Sequence, residues 1–74
     1  MAAREYMVSL REKNGLSQET IAAAIGCTKQ YYNYIENGKR QTDMHLSMIR
    51  KIAEYYRLPV SIVVDQEIEY SSKK

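Results

Sequence analysis

Residues 16–40 read LSQETIAAAIGCTKQYYNYIENGKR, and the way this stretch divides decides the fold. The Ser17 hydroxyl can accept hydrogen bonds from the N–H groups of a following turn, which places it to begin a helix. "QETIAAAI" then sets Ile21, Ala22 and Ile25 on one helical face. Gly26 stops that helix after about two turns, because glycine adopts the left-handed conformation in which many helices end. Thr28 caps a second short helix, "KQYYNYIEN", which closes at Asn37-Gly38. Two short helices joined by a tight turn containing glycine make a helix-turn-helix pattern. Ala22 is small where the two helices come closest, and Ile21, Ile25 and Ile35 pin the pair to the rest of a core.

The flanks are helical as well. Upstream, Ala3, Tyr6, Met7 and Leu10 form one apolar stripe within residues 2–13, with Gly15 just past its end. Downstream, residues 39–43 (KRQTD) are a polar connection, and Asp43 is placed to cap a fourth helix. There Met44, Met48, Ile49, Ile52, Ala53 and Tyr56 recur at helical spacing as far as Arg57. Pro59 suits a first helical turn, and "VSIVVDQEI" reads as a fifth helix. The near-alternation of Val60, Ile62, Val64, Ile68 and Tyr70 leaves an extended strand open too, which would need a partner edge from another molecule. Residues 1–67 are expected to form one domain, with 68–74 a flexible C-terminal tail.

At 74 residues the chain has room for one small domain and little room for an enclosed active site. Eleven Lys plus Arg against nine Asp plus Glu give a net charge of +2, so the placement of charge matters more than its sum. Cys27 is the single cysteine, which excludes an internal disulfide and fits a small buried hydrophobe. His45 has no second His or Cys nearby, so no metal site is expected. No apolar stretch approaches the ~20 residues of a membrane span. Arg4 and Glu5 interrupt any signal-peptide core, and a cytoplasmic location is expected. Nucleophile–base pairs, paired carboxylates and glycine-rich phosphate loops are all missing from the pattern, so no enzyme, cofactor or small-molecule ligand is expected.

Seven tyrosines stand in a chain without Phe or Trp, and three of them fall at 31, 32 and 34. At about 100° per residue, Tyr31, Tyr32 and Ile35 share one side of the helix. Lys29, Gln30, Asn33, Tyr34 and Asn37 share the other. Tyr32 is then a core residue, Tyr31 a boundary residue within reach of a phosphate, and Tyr34 an outward one. An outward face rich in amides with one cation suits base edges in DNA. Gln and Asn pair with the adenine N6/N7 edge, and Lys approaches guanine O6/N7. Gln18 sits at a helix start, where free N–H groups and the helix dipole attract phosphate. Asn37, Lys39 and Arg40 follow the reading helix and are candidates for the next phosphates.

With its "GLSQ…A…G…T…IENGKR" framework, "LREKNGLSQETIAAAIGCTKQYYNYIENGKR" resembles the Xre family, the helix-turn-helix repressors and Cro proteins of lambda type. The resemblance covers about residues 4–65 and implies an all-α, lambda repressor-like domain of five helices. It implies a bacterial, phage or mobile-element transcriptional regulator, bound as a dimer to a palindromic operator with helix 3 in the major groove. It also implies base reading by Thr28, Lys29, Gln30 and Tyr34, with Tyr31 and Asn33 beside them, phosphate contact by Gln18, and an ion pair between Arg11 and Glu36. Three departures stand out. Tyr32 occupies a position where the family has Ile or Val, "QTDMHL" is about two residues longer than the usual link, and Leu58-Pro59 replaces a Gly-Val-Ser run.

A sequence-specific repressor of phage or mobile-element type is the leading reading, and the double-stranded operator is its partner. A Cro-like switch, an immunity regulator and a restriction–modification controller all fit a chain with no sensor domain. The alternative is an antitoxin- or adaptor-like module that holds a protein on the same scaffold. Val60, Ile62, Val63, Val64, Ile68 and Tyr70 exceed what capping a five-helix core needs. They are the candidates for a self-dimer interface or, failing that, for a protein partner.

Overall fold

The computed structural model describes residues 3–38 and 44–72, and within them the chain is all α. Five helices follow in order among these residues: α1 Glu5–Lys13, α2 Gln18–Ile25, α3 Lys29–Asn37, α4 Leu46–Tyr56 and α5 Val60–Ser72. The capping chemistry falls where the sequence places it. Ser17 Oγ accepts from the Thr20 N–H at 3.1 Å, and Thr28 Oγ1 accepts from the Tyr31 N–H at 3.1 Å. Gly26 and Gly38 take left-handed conformations at φ 82° and 68° and close α2 and α3. An L-residue at either position would be strained, so these two glycines hold the helix-turn-helix to its short form.

The core is built from every helix. Met7 of α1, Ile21, Ala22 and Ile25 of α2, Tyr32 and Ile35 of α3, Ile49, Ile52 and Ala53 of α4, and Val63 of α5 are buried together. Helix α2 packs on α3 and α4, α1 packs on α3, and α4 packs on α5. The small side chains of Ala22 and Ala53 are almost wholly covered, as expected where helices approach closely.

Two boundaries differ from expectation. Helix α4 begins at Leu46 with His45 at the N-cap position, and His45 makes no side-chain capping bond. Asp43, expected as the cap, lies outside the described residues, and Met44 packs against the core ahead of the helix. Residues 60–70 are helical rather than extended, and α5 runs on through Ser72, beyond the boundary drawn at residue 67. Its buried side is Val63, Glu67 and Tyr70, with Val64 packed against the core beside them. That is a helical stripe in which an acid replaces the central apolar residue.

Candidate nucleic-acid interface

Nine residues of α3 present a face to solvent, held from behind by a polar network. At the centre of the network is Glu36, whose side chain is only 2 % exposed. Arg11 grips its carboxylate with two donors, Nε to Oε2 at 2.9 Å and Nη2 to Oε1 at 3.0 Å. The third donor of Arg11, Nη1, bonds the Leu16 carbonyl at 3.0 Å and so fixes the turn before α2. Gln18 Nε2 donates to Glu36 Oε1 at 2.9 Å, and Asn33 Nδ2 donates to Gln18 Oε1 at 3.0 Å. Tyr32 adds its hydroxyl to the same carboxylate, which answers the departure at that position: the ring fills core space and its polar tip is satisfied. Burial alone would raise the Glu36 pKa. Hydrogen bonds from Arg11, Gln18 and Tyr32 outweigh it and hold the carboxyl below its ordinary value. Burial and the bond to Glu36 push the Tyr32 phenol well above its ordinary value.

The expected base-reading residues divide into two groups. Thr28, Lys29 and Gln30 are exposed at the start of α3, and Tyr34 is half-buried one turn further on. The Thr28 oxygen caps the helix, and Gln30 Nε2 donates to the Tyr34 hydroxyl at 2.8 Å. Asn33 is half-buried and turned toward Gln18. Of the expected phosphate contacts, Gln18 uses its side chain inside the protein and keeps its place at the N-terminus of α2. Tyr31 lies partly against the core, Asn37 is half-buried, and Lys39 and Arg40 lie outside the described residues.

The six residues proposed for dimer contacts also divide. Val63 and Tyr70 are 1 % and 8 % exposed and are spent inside the monomer, and Val64 is half-buried against the core. Val60, Ile62 and Ile68 remain exposed. Leu46 joins them as the most exposed large apolar residue described, and it lines a shallow pocket with Val60 and Arg50.

A second polar cluster has no counterpart in the sequence reading. Arg4 is fully buried, with Nε 3.0 and 3.1 Å from the two Glu67 oxygens and Nη2 2.7 Å from Oε2. Its Nη1 donates to the Ile35 carbonyl at 2.6 Å, and its backbone N–H donates to the Glu36 carbonyl at 2.7 Å. The guanidinium lies 4.4 Å from the centre of the Tyr70 ring, and the Tyr6 hydroxyl donates to Glu67 at 2.6 Å. Burial and Glu67 together raise the Tyr6 phenol well above its ordinary value. Two carbonyls at the C-terminal end of α3 thus receive donors from Arg4, that of Ile35 in addition to the Gly38 N–H. An Arg and a Glu 63 residues apart carry no periodicity, and no sequence signal brings them together.

A helix-turn-helix family model matches residues 8–63. The chain belongs to that family. Its Xre-like helix-turn-helix makes it a DNA-binding domain of the transcription-regulator type rather than an enzyme. The chain is also similar to Control protein C.MunI from a Mycoplasma species, at 50% identity over 34 residues. That stretch covers 46% of this chain and 46% of the relative, just under half of each. No solved structure matches. Among the described residues, no helix is long and apolar enough to cross a membrane.

Proposed function

We propose that this protein is a sequence-specific transcriptional regulator that binds a palindromic operator as a dimer, with α3 in the major groove. One observation carries it: α3 exposes Lys29, Gln30 and Thr28 while the Arg11–Glu36–Gln18–Asn33 network fixes the helix from behind. A helix of nine residues is about 14 Å long, a length suited to a major groove about 12 Å wide. Lys29 and Gln30 address base edges, and Tyr31 and Asn37 are candidates for phosphates, as are Lys39 and Arg40, which follow in the sequence. The N-terminus of α2 offers backbone N–H groups to a phosphate while the Gln18 side chain holds α3. The relative's name as a control protein supports a regulatory role, and the cytoplasm is the compartment that such a role requires.

The dimer surface that the fold leaves open is Leu46 with Val60, followed by Ile62 and Ile68. The same exposed apolar residues favour the second reading, a module that holds another protein. Selection from random duplex DNA combined with light scattering tests the assignment. The expected result is an inverted repeat, with half-sites about 34 Å apart, bound by two chains. A motif without symmetry, bound by one chain, would overturn the dimer. Failure to enrich any motif at low salt would overturn DNA reading and favour the protein-binding module.

A further inference from the structure

Gln30 and Tyr34 stand one helical turn apart on the outward side of α3, joined by the 2.8 Å bond from Gln30 Nε2 to the Tyr34 hydroxyl. A primary amide has two N–H donors and one carbonyl acceptor. Unconstrained, a glutamine can serve either purine. One N–H with the carbonyl matches the N7/N6 edge of adenine, and the two N–H groups together match the two acceptors of guanine, N7 and O6. The bond to Tyr34 occupies one N–H. One donor and one acceptor remain, which suits adenine and leaves a guanine acceptor unserved.

We infer that Tyr34 is a specificity-determining residue that acts through Gln30, orienting its amide so that it accepts adenine and rejects guanine. The inference rests on the reading of α3 as the DNA-contacting helix. Burial supports this division of labour: Gln30 is exposed, whereas Tyr34 is half-buried, so the anchored ring holds the freer amide. Ordering a glutamine before it meets DNA also removes part of the side-chain entropy cost from binding. Asn33, another amide on that side, is already bonded to Gln18.

The test is in vitro selection from random duplex DNA at one salt concentration, with the native protein, Gln30→Ala and Tyr34→Phe. Melting curves establish that each is folded. The native protein is expected to enrich adenine at a position whose preference vanishes in Gln30→Ala. Tyr34→Phe frees the second N–H, and guanine enters at that position. The adenine-to-guanine ratio falls at least about fivefold, the lower end of what one bidentate pair contributes. An unchanged ratio in Tyr34→Phe would overturn the orienting role. So would native preference for guanine or a pyrimidine at the Gln30 position, or a motif with no position that depends on Gln30. If the native protein enriches nothing, DNA reading itself fails and takes the inference with it, a result visible without either variant.

A second measurement needs no substitution. In ¹⁵N–¹H spectra of the free protein, a Gln30 side-chain N–H should exchange with solvent more slowly than those of the exposed Gln66. Equal exchange would remove the bond on which the inference stands.

Discussion

In the Arg11–Glu36 pair the anion is sealed, 2 % exposed, and the cation reaches water at 16 %. In the Arg4–Glu67 pair the burial is reversed: the cation is sealed at 0 % and the anion reaches water at 14 %. Both pairs support α3, the first beneath its solvent-facing side and the second at its C-terminal carbonyls. The difference lies in what happens when the more exposed partner is removed. A stranded carboxylate can take up a proton and become neutral, whereas a stranded guanidinium cannot lose one at any ordinary pH. The Arg4 site is therefore the less forgiving of the two.

The largest effect is expected from Glu67→Met, which takes from the sealed Arg4 its Glu67 carboxylate. The loss should be about 3–5 kcal/mol and nearly constant from mild acid to mild base, measured by urea unfolding. Adding Arg4→Met to that variant should recover part of the loss, because a buried pair replaced as a whole costs less than one broken. A double variant less stable than Glu67→Met alone would show that the stack on Tyr70 and the bond to Ile35 outweigh the charge.

Arg11→Met should cost less, about 1.5–3 kcal/mol at neutral pH, and its pH dependence should have the opposite sign to the native protein's. In the native protein Glu36 is held below its ordinary pKa, so its contribution is complete above that value and is lost as pH falls through the folded one. Without Arg11, burial is opposed only by the bonds from Gln18 and Tyr32, and the folded pKa is expected to rise above the unfolded one. Stability should then increase as pH falls through that raised value, as the sealed carboxylate takes up its proton. Urea midpoints of both proteins across the carboxylate range check the crossing, and parallel curves would sink it.

The smallest effect is expected at Tyr56, whose buried hydroxyl has no hydrogen-bond partner among the described residues. Burial, with Tyr55 and Glu36 nearby, leaves its phenol pushed up to about 12. Tyr56→Phe removes a polar group that is desolvated without return, so thermal unfolding should show a change within about 0.5 kcal/mol or a slight gain. A loss above about 1 kcal/mol would mean that the hydroxyl belongs to the Glu36 network after all.

The same contrast separates what was legible in the sequence from what was not. Ser17, Gly26, Thr28 and Gly38 act on their own neighbours, so the helix-turn-helix could be read from local chemistry alone. Arg11 and Glu36 were expected to pair because they sit within a recognisable framework, and they lie 2.9 Å apart. The inward turn of Gln18 and Asn33 was missed, since helical phase says which side a residue takes but not which neighbour it bonds. Helix α5 reads as a helix, and the strand stays open beside it for a physical reason. Its buried stripe is Val63, Glu67 and Tyr70, and a glutamate at the centre of an apolar stripe breaks the helical signal and leaves a pattern close to alternation. The acid is there because Arg4 arrives from the other end of the chain.

Arg4 and Glu67 are 63 residues apart, whereas the bonds that set α3 on α2 span 15 and 18. Closing the longer loop costs more chain entropy before any contact returns it, so the Arg4–Glu67 contact is expected to form late in folding, which a low φ-value at Glu67 would check. An interaction formed after the transition state leaves the folding rate alone and governs how fast the native state is left. The Arg4–Glu67 contact is then expected to act as a kinetic lock. Helix α3 is expected to form from its neighbours, while the time for which it stays formed is expected to depend on the contact at its own C-terminal end.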